Sequence, residues 1–213
     1  MSEQLQRIAG IGLVPLVVLA DAACAKPLGE ALVAGGIPVA EVTFRTEACL
    51  DTIRAMKEIP DLIVGAGTVH TAKQAAAAVD AGATYIVTPA YNPSVIEWCL
   101  AHDVDVIPGT VTPGEIEGSR AYDIRLCKFF PAAAYGGTTT LKALAGPFAD
   151  VKFLPTGGVN LDNMIDYLAL PNVAAIGGSF MTPDKLVAAR DWAGIADICR
   201  KIVQRMQTAL PTR

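Results

Sequence analysis

The chain has 213 residues, a formal net charge of −4 and 52% hydrophobic residues, enough for one domain spanning 1–213 with a sizeable core, and no Ser/Gly/Pro-rich stretch or charge run offers a linker. A mildly negative charge with neither sign clustered excludes nucleic acid and anionic membrane surfaces as main partners. The five cysteines are scattered, odd in number and never spaced C-x-x-C; this is cytosolic usage, which predicts a cytoplasmic protein with buried thiols rather than a disulfide framework.

The first apolar run, Ile8 to Ala20, follows Arg7 and ends in Ala20-Asp21-Ala22, imitating a secretory signal. Pro15 in its middle and Glu3 near Arg7 argue against that reading, and the segment is needed as the first strand of a repeat. Short runs rich in Val, Ile and Phe recur from about Val14, Val39, Leu62, Thr84, Val104, Ile124, Val151 and Val173, at steps of 20 to 27 residues, one strand plus one helix each time. Helical patterns fall at Glu47 to Ile59, Thr71 to Ala81, Pro93 to His102 and Asp191 to Ala209; in the last, Ile195, Ile198, Ile202 and Met206 hold one face. No run approaches the roughly 20 apolar residues of a membrane span. Eight strand–helix repeats with no G-x-G-x-x-G opening a helix predict an α/β fold, a single (β/α)₈ TIM barrel with a short N-terminal helix. Active sites in that fold collect at the C-terminal strand ends, so polar residues there become candidates.

The second strand reads Val39-Ala-Glu-Val-Thr-Phe-Arg45. Alternation puts Glu41, Thr43 and Arg45 on one face and Val42 and Phe44 on the other; the inward charges are either functional or a structural ion pair closing a barrel layer. The third strand ends in Gly65-Ala-Gly-Thr-Val69, whose glycines would let a ligand approach the backbone beside the Thr68 hydroxyl. The fourth and fifth end in Thr88-Pro89 and Pro108-Gly109-Thr110, which read equally well as loop punctuation.

The sixth strand, Ile124-Arg-Leu-Cys-Lys-Phe-Phe-Pro131, holds a lysine where an ammonium has no obvious exit to water. An amine among Leu126, Phe129 and Phe130 should titrate well below the usual value of about 10.4, and a neutral lysine is a nucleophile toward carbonyl carbon. The plain alternative is a lysine that snorkels out at a strand end. The seventh and eighth strands end in Pro155-Thr-Gly-Gly-Val-Asn160 and Ile176-Gly-Gly-Ser-Phe180. Paired glycines at these two strands suit a phosphate, helped by a short helix starting near Thr182-Pro183, although two plain turns would read the same. Neither His70 nor His102 joins this set, so metal-ligand spacing and a Ser/His/Asp arrangement around Ser179 are both absent from the sequence, and no metal or other cofactor is expected.

With these residues in view the chain resembles the 2-keto-3-deoxy-6-phosphogluconate (KDPG) aldolases, class I enzymes of the Entner–Doudoroff pathway. The resemblance is carried by E-V-T-F-R-T at 41 to 46, V-G-A-G-T-V at 64 to 69, K-F-F-P at 128 to 131, G-P-F at 146 to 148, P-T-G-G-V at 155 to 159 and G-G-S at 177 to 179. It implies a Schiff base at Lys128, Glu41 as general acid/base, Arg45 and Thr68 on the oxo-acid carboxylate, Pro89 lining the site, and Gly157, Gly158, Gly178 and Ser179 on the phosphate. It also implies a phosphorylated 2-oxo acid as small-molecule partner and a homotrimer, which agrees with the apolar composition. Many members carry glutamate where this chain has Ala133, and tryptophan where it has Phe180. Alternatives are the same chemistry on 2-keto-3-deoxy-6-phosphogalactonate or 4-hydroxy-2-oxoglutarate, a phosphosugar isomerase, and a non-catalytic barrel serving as an assembly unit.

Overall fold

The structure is a computed structural model and describes residues 1–211. Nine strands alternate with helices in a parallel α/β arrangement: β1 Leu13–Val17, β2 Val39–Thr43, β3 Ile63–Gly67, β4 Tyr85–Val87, β5 Asp105–Ile107, β6 Gly109–Thr110, β7 Leu126–Phe129, β8 Lys152–Pro155 and β9 Ile176–Gly178. The helices are α1 Glu3–Ile11, α2 Ala25–Ala34, α3 Cys49–Met56, α4 Ala72–Ala81, α5 Pro93–Ala101, α6 Pro113–Ala121, α7 Gly137–Leu144, α8 Met164–Leu168, α9 Asp184–Ala188 and α10 Trp192–Ala209. Every strand start expected from the sequence lies within three residues of an observed one; the run from Val104 is divided into β5 and β6 at Pro108.

Two parallel sheets result. One has the order β5-β4-β3-β2-β1-β9 and forms a half-barrel; the other is β6-β7-β8. Hydrogen bonds also run between the sheets: the Lys128 N–H donates to Pro108 O (2.8 Å), the Ala174 N–H to Phe153 O (2.9 Å), and Thr156 bridges to Gly177 in parallel register. The pseudo-signal segment is strand β1, paired with β2 and β9, after Gly12 at φ 75° ends α1.

Strand alternation divides the buried side chains into two clusters. Val14, Val39, Ile63, Tyr85, Val87, Ile107, Leu126 and Leu154 form the inner one, and Leu5 and Ile8 from α1 close its N-terminal end. Val42, Cys127, Phe129 and Phe153 belong to the outer cluster beneath the helices. Phe129 therefore faces away from Lys128, correcting the expected surround, whereas Leu126 shares its side. All five cysteines are free and buried. In α10, Ile195 and Ile202 are buried and Ile198 and Met206 partly so, as the 3.6-residue pattern predicts.

Candidate active site

Lys128 from β7 and Glu41 from β2 meet in the interior. The Lys128 ammonium nitrogen Nζ donates to Glu41 Oε1 at 2.9 Å, and the two residues are 3% and 0% exposed. Every other ion pair among the described residues has both partners at least partly open to solvent. Removing two charges from water is expensive, and it is offset only by good geometry and further hydrogen bonds. Here the second carboxylate oxygen, Oε2, is buried without a protein partner, an acceptor unused by the fold. The Phe130 ring centroid lies 5.4 Å from Nζ, within cation–π range.

The strand ends explain how a glutamate fits there. A Cβ at Gly67 would overlap the Glu41 carboxylate, and one at Gly65 would overlap the Tyr85 ring. The β3 glycines thus house side chains from β2 and β4, instead of admitting a ligand to the backbone as the sequence suggested. Tyr85 is fully buried, and burial together with the Glu41 charge holds its phenol well above its ordinary value, so it stays a donor to Ala40 O at 3.1 Å.

Arg45 departs from the expected pattern. Glu41 and Thr43 remain on β2, but the strand ends at Thr43 and Arg45 lies in the following turn, exposed. The ion partner of Glu41 is Lys128, so the alternative of a structural Glu41–Arg45 pair closing a barrel layer does not form. Arg45 instead lines a cavity of about 230 Å³ with Leu16, Phe130, Thr156, Gly157, Gly158, Val159, Gly178 and Ser179. This brings five of the expected residues together at the C-terminal ends of β8 and β9. Gly157 and Gly158 have φ of 91° and 80°, a left-handed pair open to glycine at little cost. The Gly157 carbonyl accepts from the Ala133 N–H (3.0 Å) and that of Gly158 from Asn163 Nδ2 (2.9 Å).

The short helix expected near Thr182-Pro183 is present, with Pro183 at its N-cap, but it suits an anion poorly. A 3₁₀ turn, Ser179–Met181, follows Gly178, and α9 is a five-residue helix with Asp184 in its first turn. A helix that short, begun by an acid, offers an anion little.

Thr68 and Pro89 sit on the loops after β3 and β4, half-buried and outside the lining of that cavity. Thr68 has φ 59°, rare for a β-branched residue and of the kind that gathers at functional sites. Pro89 closes onto β6: a Cβ at Gly109 would overlap the Pro89 carbonyl, and Gly109 is paired in register with Lys128.

Sequence reasoning named Phe130 only as an apolar neighbour of Lys128, although it borders both the ion pair and the cavity, and passed over Thr156, buried with its Oγ1 where a Cβ of Gly177 would fall. Both lay inside quoted motifs; strand alternation carried on from Lys128 to Phe130 and from Leu154 to Thr156 was the unused signal.

The KDPG and KHG aldolase family model matches residues 5–198. The chain is 42% identical over 203 residues, 95% of each chain, to the 2-dehydro-3-deoxy-phosphogluconate aldolase of Treponema pallidum (strain Nichols). It is 42% identical to the KHG/KDPG aldolase of Escherichia coli (strain K12), over 90% of this chain and 91% of that one. Among solved structures, a KDPG aldolase from Legionella pneumophila, with pyruvate captured at low pH as a covalent carbinolamine intermediate, is similar with a TM-score of 0.90 at 37% identity, covering 93% of this chain and 98% of that one.

Proposed function

The chain belongs to the KDPG and KHG aldolase family, and from that premise we propose how its own residues carry out the family's reaction. The activity is class I aldol cleavage of 2-keto-3-deoxy-6-phosphogluconate to pyruvate and glyceraldehyde 3-phosphate, a carbon–carbon lyase step of the Entner–Doudoroff pathway. The observation that carries the residue assignment is the buried Lys128–Glu41 contact at 2.9 Å.

Glu41 Oε1 takes one proton from the Lys128 ammonium, the freed amine attacks the C2 carbonyl, and a second nitrogen proton moves to the carbonyl oxygen to give the carbinolamine. Glu41 returns a proton to the departing hydroxyl, which leaves as water and gives the iminium. As a carboxylate again, Glu41 takes the C4 hydroxyl proton, directly or through one water. The C3–C4 bond then breaks, its electron pair moves into the iminium as an enamine, and the aldehyde is released. Protonation at C3 and hydrolysis free pyruvate and restore the lysine. The covalent pyruvate carbinolamine in the Legionella relative supports an attack on the keto-acid carbonyl through such an adduct. We assign Arg45 and Thr68 to the oxo-acid carboxylate and Pro89 to the wall of the site. Gly157, Gly158, Gly178 and Ser179 take the phosphate: with the first two carbonyls engaged elsewhere, the N–H groups of that left-handed turn suit an anion.

We read the two sheets as parts of one eight-strand barrel domain, β5 and β6 being halves of a strand interrupted at Pro108; the bonds at both junctions support this. A cytoplasmic homotrimer is the assembly we expect, given the apolar composition and the exposed Val18, Tyr135 and Leu161 on loops following β1, β7 and β8. Among the described residues no helix is long and apolar enough to cross a membrane.

The direct test is borohydride reduction in the presence of pyruvate, followed by peptide mapping. A three-carbon adduct at Lys128 is the expected result, and an adduct on another lysine, or none, removes the assignment. With Glu41→Gln the adduct should still form, while cleavage falls by about 10² to 10⁴-fold, the usual contribution of a positioned acid/base; unchanged turnover would reassign the base.

A further inference from the structure

We propose that Thr88 is a positioning residue for the aldol reaction, its hydroxyl holding the Pro89 wall against β6, the strand paired with the one that presents Lys128. The proposal rests on the assignment of Lys128 as the Schiff-base residue.

Thr88 follows β4 directly and is fully buried. Its Oγ1 donates to Ala90 O at 2.7 Å and accepts from the Gly109 N–H at 3.1 Å, while its own N–H donates to Ile107 O at 3.2 Å. The hydroxyl thus spans the residue on the far side of Pro89 and the first residue of β6. Gly109 is paired in register with Lys128, and the Pro89 carbonyl occupies the space a Cβ of Gly109 would need. A chain of direct contacts therefore runs from the Thr88 hydroxyl through Gly109 to the backbone that aims the amine. Proline and alanine at 89 and 90 offer no side-chain hydrogen bond of their own, so within this turn only Thr88 has a side chain able to hold it. Threonine's branched Cβ also restricts χ1, which keeps the oxygen pointed at both partners. The consequence is chemical: with Pro89 assigned to the wall of the site, its placement limits where C2 of the keto acid can rest, and misplacement by about 1 Å can lower a rate by about 10²-fold.

The test compares Thr88→Val, which keeps the shape and loses both hydrogen bonds, with Thr88→Ser, which keeps the oxygen. Borohydride trapping rates with pyruvate and kcat and KM for 2-keto-3-deoxy-6-phosphogluconate are measured well below each variant's Tm. Thr88→Val should trap pyruvate and turn over about 10 to 100-fold more slowly, with the loss in kcat rather than KM, and Thr88→Ser should return most of the rate. Should Thr88→Val not fold, Thr88→Ala gives the same comparison. A valine or alanine variant that traps at the wild-type rate, or a serine variant as slow as they are, overturns the proposal while leaving Lys128 in place. A wild-type protein with no adduct at Lys128 removes the lysine assignment and this proposal together.

Discussion

Glu41 lays its carboxylate over the Cα of Gly67 on the neighbouring strand, in the volume that any side chain at position 67 would claim. Position and chemistry are thereby coupled: the missing Cβ lets a charged group lie flat between β2 and β3 and reach Lys128 from across the interior. Gly67→Ala should displace the carboxylate, costing about 1–3 kcal/mol in stability from overpacking and at least about 10²-fold in kcat. Steady-state cleavage with urea unfolding checks both numbers, and a fully active Gly67→Ala enzyme would show that Glu41 need not lie where it does.

The buried pair makes a prediction about stability that is separate from catalysis. Lys128→Met leaves a carboxylate in the interior without its cation, which should cost about 3–5 kcal/mol at neutral pH, whereas replacing both partners by methionine should recover most of it. A double-mutant cycle in urea at pH 7 measures this coupling. Lys128→Met, Glu41→Met and the double variant should all be inactive. Additive losses would mean that the two side chains do not depend on each other in the folded protein.

Gly158 has φ 80°, and a Cβ there would overlap that of Ala133. Gly158→Ala is therefore strained twice, once in its backbone and once against the turn after β7. If this backbone holds the phosphate, KM for 2-keto-3-deoxy-6-phosphogluconate should rise about 10-fold or more, while cleavage of unphosphorylated 4-hydroxy-2-oxoglutarate and trapping of pyruvate change little. Equal losses on both acids would place the phosphate elsewhere.

Burial pushes four thiols up from 9.0: Cys49 and Cys127 to about 11, Cys99 and Cys199 to about 12. The unfolded chain releases these protons near the ordinary value, and the folded chain only near the raised ones. Between about pH 9 and those values the unfolded state binds fewer protons than the native state, so stability must fall as pH rises. The buried Tyr85 phenol acts in the same direction. Urea midpoints should hold level to about pH 8.5 and decline from about pH 9 upward, more gently in a Cys99→Ala/Cys199→Ala variant. A flat series through pH 11 would contradict the burial of these groups.

The order of elements and the identity of the central residues were legible because strand and helix periods leave a direct mark on composition: every strand start could be placed, and Lys128 stood out as a charge in an apolar run. What one-dimensional pattern does not carry is where a strand stops. Alternation was extended through Phe44 to Arg45, although the chain leaves the sheet after Thr43, so a Glu41–Arg45 ion pair stood as the structural alternative, whereas the partner of Glu41 comes from a strand 87 positions away. The glycines of β3 were ambiguous for a related reason. An absent side chain says that something comes close, and only the packed structure reveals that it is Glu41 and Tyr85. Thr88 was visible as a strand-end residue, but its two hydrogen bonds join segments that no local spacing connects.

Leu5 and Ile8 of α1 join the inner cluster beside Val14 and Leu126, so the first helix of the chain shields from water the same interior that holds the Lys128–Glu41 pair.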